Sequence, residues 1–193
     1  MLACAVVGVA GTAHAQELDL AVGGSTLFAS AINSASQTFQ PPPEKGGTYP
    51  TVSAEYLFRD NNRVGFNVET AFRYKHGFYD GYQQFRPVFY DANAVFAPRF
   101  SHKIVGDFMA GVGGESLIFY NQFRTCYSGA CVTNVNATHF LLHAEGGARY
   151  YFWRQHLFAR PEAHYYRILN NSQFHSGNVL RLGATIGYTF GSE

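Results

Sequence analysis

The chain has 193 residues and a formal net charge of +1, and charged residues make up only 14% of it. Soluble domains usually contain about 25% charged residues, so an ordinary soluble surface is not expected, and the near-zero net charge gives no sign of a nucleic-acid partner. Aromatic residues reach 17%, yet no apolar stretch approaches the roughly 20 residues that a membrane-spanning helix needs.

The N-terminal segment predicts export. Residues 1–15 carry no charged side chain and are rich in Ala, Val and Gly. They end in Ala13-His14-Ala15, with small residues where a signal peptidase cleaves, although the usual basic n-region is missing. We therefore expect a signal peptide at 1–15 and one mature domain at 16–193. Cleavage of the signal peptide removes Cys4 and leaves Cys126 and Cys131 as the two cysteines of the mature chain. Because exported proteins fold in an oxidising compartment, we expect these two cysteines to form a disulfide.

The mature chain contains eight segments in which apolar side chains alternate with small or polar ones. In the last, Leu180, Leu182 and Ala184 alternate with Arg181 and Gly183. Successive side chains of a strand point to opposite faces, so each segment predicts a strand with one apolar face. The eight predicted strands are Leu18–Ala29, Tyr49–Arg59, Val64–Lys75, Phe85–Ala97, Ile104–Tyr120, Thr138–Phe152, Leu157–Leu169 and Leu180–Phe190.

The connections between the predicted strands alternate in length. Short connections follow the second, fourth and sixth strands, and the long ones are Ser30–Thr48, His76–Gln84, Asn121–Ala137 and Asn170–Asn178. Outer-membrane barrels have short periplasmic turns, longer external loops and an even number of strands. Strands of nine or more residues are also long enough to cross a bilayer. The sequence therefore predicts an all-β fold, an eight-stranded antiparallel up-and-down transmembrane β-barrel.

The whole mature chain resembles the small eight-stranded outer-membrane barrels of Gram-negative bacteria, the family of the outer membrane protein A barrel and its porin-like relatives. The most specific likeness is the closing run Gly183 to Phe190, which is similar to the terminal signal that such barrels present to their insertion machinery. Tyr188 and Phe190 are its aromatic residues, and three residues follow it here. The resemblance implies a monomer in the cell outer membrane, with membrane lipid and the insertion machinery as partners.

A soluble exported barrel of the lipocalin kind has the same alternation with its two faces inverted. Only three lysines occur in the chain, glycines share the polar face, and aromatic residues stand at the strand ends. Together with the alternating loop lengths and the terminal Phe, these features favour the membrane barrel.

The polar faces predict a lumen filled by side chains, because an eight-stranded barrel is only wide enough for that. Buried carboxylates need partners, and the interleaved arginines provide them, so a plug of ion pairs is preferred to a conducting pore. We expect the substitution Ala144→Arg on the apolar face to lower the yield of folded barrel. Gly111→Ser on the polar face is expected to have a milder effect on folding. The predicted lumen network consists of Asp19, Glu55, Arg59, Glu69, Arg73, Asp91, Asp107, Glu115, His143, Glu145, Arg149, Arg160, Glu162, His164 and Arg181.

Two histidines of this network, His143 and His164, lie on neighbouring predicted strands beside Glu145 and Glu162. One interpretation is a metal site or an acid–base pair. The preferred interpretation is two hydrogen-bonded interior histidines, because such residues are expected in any polar lumen. We therefore predict neither a metal nor another cofactor.

The external loops are the remaining candidates for function, since loops on a rigid scaffold commonly carry it. They predict a structural or surface-interaction role, adhesion-like and non-catalytic, toward a surface ligand that the sequence does not identify. A small porin-like channel is the alternative, and a lipid-modifying enzyme is the third. The enzyme needs a nucleophile and a base reachable from the membrane, but the apolar faces offer only hydroxyls without a His or carboxylate beside them, at Thr26, Thr70 and Ser116.

Overall fold

The computed structural model describes residues 17–29, 44–58, 63–79, 83–127, 130–171, 174 and 177–191, with only the backbone for 121–127 and 130–134. The predicted signal peptide lies outside these residues. Among the described residues, no helix is long and apolar enough to cross a membrane. The strands are β1 (Glu17–Ala29), β2 (Tyr49–Leu57), β3 (Val64–Phe72), β4 (Gly77–Tyr79), β5 (Gln83–Phe96), β6 (Ile104–Tyr127), β7 (Ala130–Trp153), β8 (Leu157–Ile168) and β9 (Asn178–Phe190).

Eight of these strands form one closed antiparallel barrel. The sheet runs in the order β3-β2-β1-β9-β8-β7-β6-β5, and the pairing of β3 with β5 closes it. The first and last strands are neighbours, with Leu18 opposite Phe190. The three-residue β4 pairs only with the start of β5 in the sheet order, at the rim. The predicted all-β, eight-stranded up-and-down fold is confirmed.

The outer face of the barrel is apolar and the inner face carries the charges. In β1, Leu20 and Val22 are 46% and 61% exposed, whereas Asp19 is 3% exposed. The same alternation follows the other long strands, so large exposed aliphatic and aromatic side chains surround the barrel. A continuous apolar exterior of this extent is unfavourable in water and matches the hydrocarbon core of a bilayer. The lipocalin-like alternative, which places the charges outside, is wrong.

The long connection predicted at Asn121–Ala137 is wrong. β6 continues to Tyr127, and β7 starts at Ala130, so the two strands pair with each other beyond the ends of their other neighbours. This segment contains two Thr, two Val, one Phe and one Tyr, residue types that favour strands. The ladder between its two arms is interrupted after Tyr120 and resumes where Thr125 pairs with Val132. We call residues 121–127 and 130–137 the external hairpin. The second long connection also contains a strand, β4.

The barrel interior is layered along its axis, which the sequence analysis did not predict. The inward-facing residues of β8 begin with Phe158, continue with Arg160, Glu162 and His164, and end with aromatic and aliphatic residues. An inner apolar layer therefore lies below the charges, formed by Ala21, Leu57, Val95, Ala97, Val105, Met109, Tyr151 and Phe158. An outer apolar layer lies above them, formed by Leu27, Tyr49, Ala71, Phe89, Leu141, Tyr166, Ile168 and Val179.

Gly111 shows how closely the strands approach one another. A Cβ atom at this position would lie 2.1 Å from the carbonyl oxygen of Ala92 and 2.3 Å from Oδ1 of Asn93. The first of these atoms is backbone and cannot turn away. The expectation that Gly111→Ser is mild therefore needs correction, because the added side chain forces β5 and β6 apart.

Candidate functional site

The inner half of the lumen is organised around two arginines. Arg149 donates to Oδ2 of Asp107 at 2.8 Å and also binds Asp19 and Glu55. Arg160 donates to the same Asp107 oxygen at 3.0 Å and to Oε2 of the neighbouring carboxylate, Glu162, at 2.9 Å. Both guanidinium groups are almost fully buried. Charged groups removed from water in this way require such partners, so these contacts fix the side chains across the barrel.

The outer half of the network is centred on Arg181. Its Nη2 binds Oε1 of Glu69 and lies 2.9 Å from both ring nitrogens of His164. The guanidinium carbon also lies 5.5 Å from the ring centroid of Tyr166, which belongs to the outer apolar layer. Arg181 therefore connects the charged layer to the apolar layer above it.

The two predicted histidines meet inside this network. Nε2 of His143 lies 3.1 Å from Nδ1 of His164, and the two rings are nearly parallel, with centroids 5.2 Å apart. Because the two facing nitrogens are only 3.1 Å apart while the ring centroids are 5.2 Å apart, the rings meet edge to edge rather than face to face. Asn93 lies on the far side of His143, with its Oδ1 2.8 Å from Nδ1.

Two groups of ligand-type atoms converge here. One consists of His143, Glu145 and His164, and the other of Glu69, Glu162 and His164. All three ligand atoms of each group lie within 4.8 Å of one another. By residue type and spacing, either group can hold a divalent transition metal.

The structure brings most of the predicted lumen residues together, but not all. Glu115 and Arg73 lie nearer the external end, and Arg59 lies outside the described residues. The residues that share the central network are Asp19, Glu55, Glu69, Asp91, Asp107, His143, Glu145, Arg149, Arg160, Glu162, His164 and Arg181.

A second polar pocket lies at the external mouth, and the sequence analysis missed one of its members. Glu44, from the first long connection, is fully buried beside Glu115. Burial raises the pKa of the Glu44 carboxyl above its usual range, and the proximity of the Glu115 carboxyl and the charge of Arg73 oppose this shift. Gly46, with a φ of +69°, allows the chain to reverse here. Glu44 was not predicted because a loop residue that packs into the mouth of a barrel leaves no periodic pattern in the sequence.

The external end presents positive charge to solvent. Lys45, Lys75 and Arg167 are exposed, and Arg73 and Arg86 are half-buried. We call these five residues the basic rim. The one described carboxylate in the same connections, Glu44, is buried beneath them. Asp80 and Arg124 also belong to this end by sequence, with side chains outside the described residues.

Other predicted positions lie on the outer face and in the external hairpin. Thr70 faces outward and donates its hydroxyl to the carbonyl oxygen of Phe89 at 3.1 Å. Tyr188 and Phe190 of the closing run pack together on the outer face, with ring centroids 4.7 Å apart. Cys126 and Cys131 are directly opposite each other in the external hairpin. Their side chains lie outside the described residues, so the disulfide stays a prediction.

Solved structures share this architecture, although no protein-family model and no curated protein matches the chain. Neisserial surface protein A has a TM-score of 0.60 at 14% identity, covering 91% of this chain and 97% of its own. Ail, the attachment invasion locus protein of Yersinia pestis, in complex with the heparin analogue sucrose octasulfate, has a TM-score of 0.59 at 14% identity, covering 91% and 99%. The N-terminal barrel domain of Pseudomonas aeruginosa OprF has a TM-score of 0.53 at 14% identity, covering 90% and 97%. The chain therefore has the fold of the small eight-stranded β-barrels of bacterial outer membranes, with the apolar exterior that this location requires.

Proposed function

We propose that this protein is a non-catalytic outer-membrane barrel that contacts anionic polysaccharides through its basic rim. The observation that carries the proposal is the distribution of charge at the external end. Lys45, Lys75 and Arg167 are exposed there, while the carboxylate of Glu44 is buried. Sulfate and phosphate groups on sugars are ligands that clustered Lys and Arg side chains recognise.

The filled lumen supports a role at the external end rather than transport. Three arginines cross the interior, and two apolar layers lie above and below them. A porin-like channel needs a continuous aqueous path, and buried ion pairs between apolar layers oppose one. The external hairpin extends past the barrel and adds contact surface at the same end.

The comparison with Ail provides a precedent for the ligand class. The barrel of Ail is known in complex with sucrose octasulfate, a heparin analogue. At 14% identity, the likeness concerns the fold, and the lysines and arginines of this chain are what support the same ligand class here.

Binding of the folded, detergent-solubilised barrel to immobilised heparin tests the proposal. We expect Lys45→Glu with Lys75→Glu to weaken binding at least about tenfold, equal to about 1.4 kcal/mol, because two attractive charges become repulsive. Raising the salt concentration should weaken wild-type binding, since exposed charges are screened beyond about 10 Å at 0.1 M.

The matched control is Lys103→Glu, an exposed lysine at the opposite end of the barrel. Its heparin binding should equal that of the wild type. If the rim and control variants weakened heparin binding equally, or if heparin binding did not change with salt concentration, the basic rim would not be the contact surface.

A further inference from the structure

We propose that the lumen contains a specific site for a divalent transition metal, with His143, His164 and Glu145 as ligands and Zn²⁺ as the best-matched ion. Imidazole nitrogens and a carboxylate oxygen are ligands that Zn²⁺ accepts in tetrahedral sites. The proposal is independent of the basic rim.

The distances between the ligand atoms fit one ion. Nε2 of His143 and Nδ1 of His164 are 3.1 Å apart, and Oε2 of Glu145 lies 3.3 Å from the same His164 nitrogen. A tetrahedral ion with bonds of about 2.0–2.1 Å holds two ligand atoms about 3.3 Å apart. Both distances from His164 Nδ1 therefore match a tetrahedral ion, and the ligand atoms of His143 and Glu145 lie within 4.8 Å of each other. A water molecule is the expected fourth ligand.

Each histidine is oriented by a second polar group on its other nitrogen, as metal-binding histidines usually are. Nδ2 of Asn93 donates to Oδ1 of Asp91 at 2.6 Å, which leaves Oδ1 of Asn93 to accept from Nδ1 of His143 at 2.8 Å. The lone pair of His143 Nε2 consequently faces the site. On the other histidine, Nε2 of His164 lies 3.2 Å from Oε1 of Glu162.

Glu145 supplies an independent indication of a missing partner. Its side chain is buried, and neither carboxylate oxygen has a hydrogen-bond partner within the described part of the chain. A carboxylate without hydrogen bonds in such an environment is costly. A divalent ion bound by Glu145 removes that cost.

The charge of the whole network favours a cation as well. Among the described residues of the central lumen, seven carboxylates are buried with three guanidinium groups. Such an excess of acids requires protons or cations for neutralisation. One divalent ion at this site supplies two positive charges to the layer where the carboxylates are.

Among the described residues, two guanidinium groups lie beside the site: Nη2 of Arg181 is 2.9 Å from Nδ1 of His164, and Nε of Arg160 is 4.0 Å from Oε1 of Glu145. Arg181 is the nearer group and competes directly for the His164 nitrogen. Nη2 of Arg181 already binds Oε1 of Glu69, and Oε2 of Glu69 has no hydrogen-bond partner among the described residues. The guanidinium therefore has acceptors to which it turns when the ion binds. Because apolar layers lie at both ends of the lumen, we expect the ion to enter while the barrel folds.

Metal retention after folding tests the site. Barrel folded into detergent with Zn²⁺, then passed through gel filtration with EDTA, should retain one Zn²⁺ per chain by mass spectrometry of the metal. Barrel folded with Co²⁺ should show the visible absorption of a tetrahedral complex. We use the Cys126→Ser, Cys131→Ser background throughout, so that thiols contribute nothing.

The variants separate this site from other binding. His143→Ala and the near-isosteric Glu145→Gln should lower retained metal at least about tenfold, and Asn93→Ala should weaken affinity about 10–100-fold by releasing His143. The control His102→Ala removes an exposed histidine at an inner turn and should retain metal as the background does. Heat-modifiable gel migration verifies folding, and Glu145→Gln carries the test if His143→Ala does not fold. Retention far below one ion per chain, or equal retention by Glu145→Gln, overturns the site.

Discussion

Arg149 is the residue on which the inner half of the lumen depends most. It is fully buried and binds Asp107, Asp19 and Glu55, which lie on three different strands. No other described cation contacts Asp19 within salt-bridge distance. Removing the guanidinium leaves that buried charge uncompensated.

We expect Arg149→Ala to lower the free energy of unfolding by about 3–5 kcal/mol at pH 7, the usual cost of removing one partner from a buried ion pair. Urea unfolding followed by the fluorescence of Trp153 measures it. Lys103→Ala, which removes an exposed cation from an inner turn, should change stability by less than about 0.5 kcal/mol. A loss below about 1 kcal/mol in Arg149→Ala contradicts the importance of this network.

Glu44 makes the docking of the first connection depend on pH. Its folded pKa is raised by burial, so the docked state binds its proton more tightly than the undocked state does. The resulting stabilisation is complete below the ordinary pKa of Glu and is lost as pH rises through the folded pKa. Docking should therefore be weaker at pH 8 than at pH 5.

The amide of Gly46, which donates to the carbonyl of Leu27 at 2.8 Å, reports this docking by hydrogen exchange. After correction for intrinsic exchange rates, its protection should fall between pH 5 and pH 8 in the wild type. Glu44→Gln keeps the side-chain shape without the ionisable proton and should remove most of the change. Identical pH profiles for the two proteins would show that Glu44 does not control the docking.

At the scale of the strand, a charged substitution on the outward face of β7 should destabilise the barrel at mid-height. A charged substitution at the rim should have little effect. Ala144 faces outward and pairs with Ala110 of β6 and Tyr165 of β8. Ala144→Arg should cost about 2–4 kcal/mol, because the guanidinium enters the hydrocarbon core, and the cost falls to about 0–1 kcal/mol near an interface.

Phe78→Arg is the matched comparison, since Phe78 is 59% exposed on the rim strand β4. The folded fraction, read as the heat-modifiable band after refolding into lipid vesicles, should fall strongly for Ala144→Arg and little for Phe78→Arg. Equal folded fractions would contradict the assignment of the outward face.

The external hairpin gives a further prediction. Its paired positions 126 and 131 bring two cysteine backbones to opposite places in the ladder, and export delivers both to an oxidising compartment. Thiol titration of denatured, unreduced mature protein should find no free thiol. Two free thiols would contradict the disulfide. Cys126→Ser with Cys131→Ser should still fold, because closing so short a loop stabilises by only about 2 kcal/mol.

Strand alternation made the fold predictable from the sequence, because period two decides which face each side chain occupies. Arg160 and His164 were placed inside on this basis. Alternation does not give the height of a residue along the axis, so the apolar layer containing Tyr166 was not predicted. The extension of β6 depends on its partner strand, and the burial of Glu44 depends on loop docking. Neither leaves a periodic signal in the sequence.

At the scale of the whole molecule, the interior and exterior of the barrel have separate roles. The exterior is apolar, the interior is filled by charged residues between two apolar layers, and the exposed cations described in the external connections lie at one end. The lumen therefore holds the buried ion pairs on which stability depends, and we propose that contact with other molecules occurs at the basic rim and the external hairpin.

Single-channel recording shows whether the lumen of the folded barrel is closed. Wild-type barrel whose folding has been verified by heat-modifiable migration is inserted into planar lipid bilayers at neutral pH, with a barrel-free detergent control. A closed lumen predicts a baseline without stable conductance steps, because the three arginines and both apolar layers occupy the interior. Stable steps of large, uniform amplitude from the wild-type protein would contradict it.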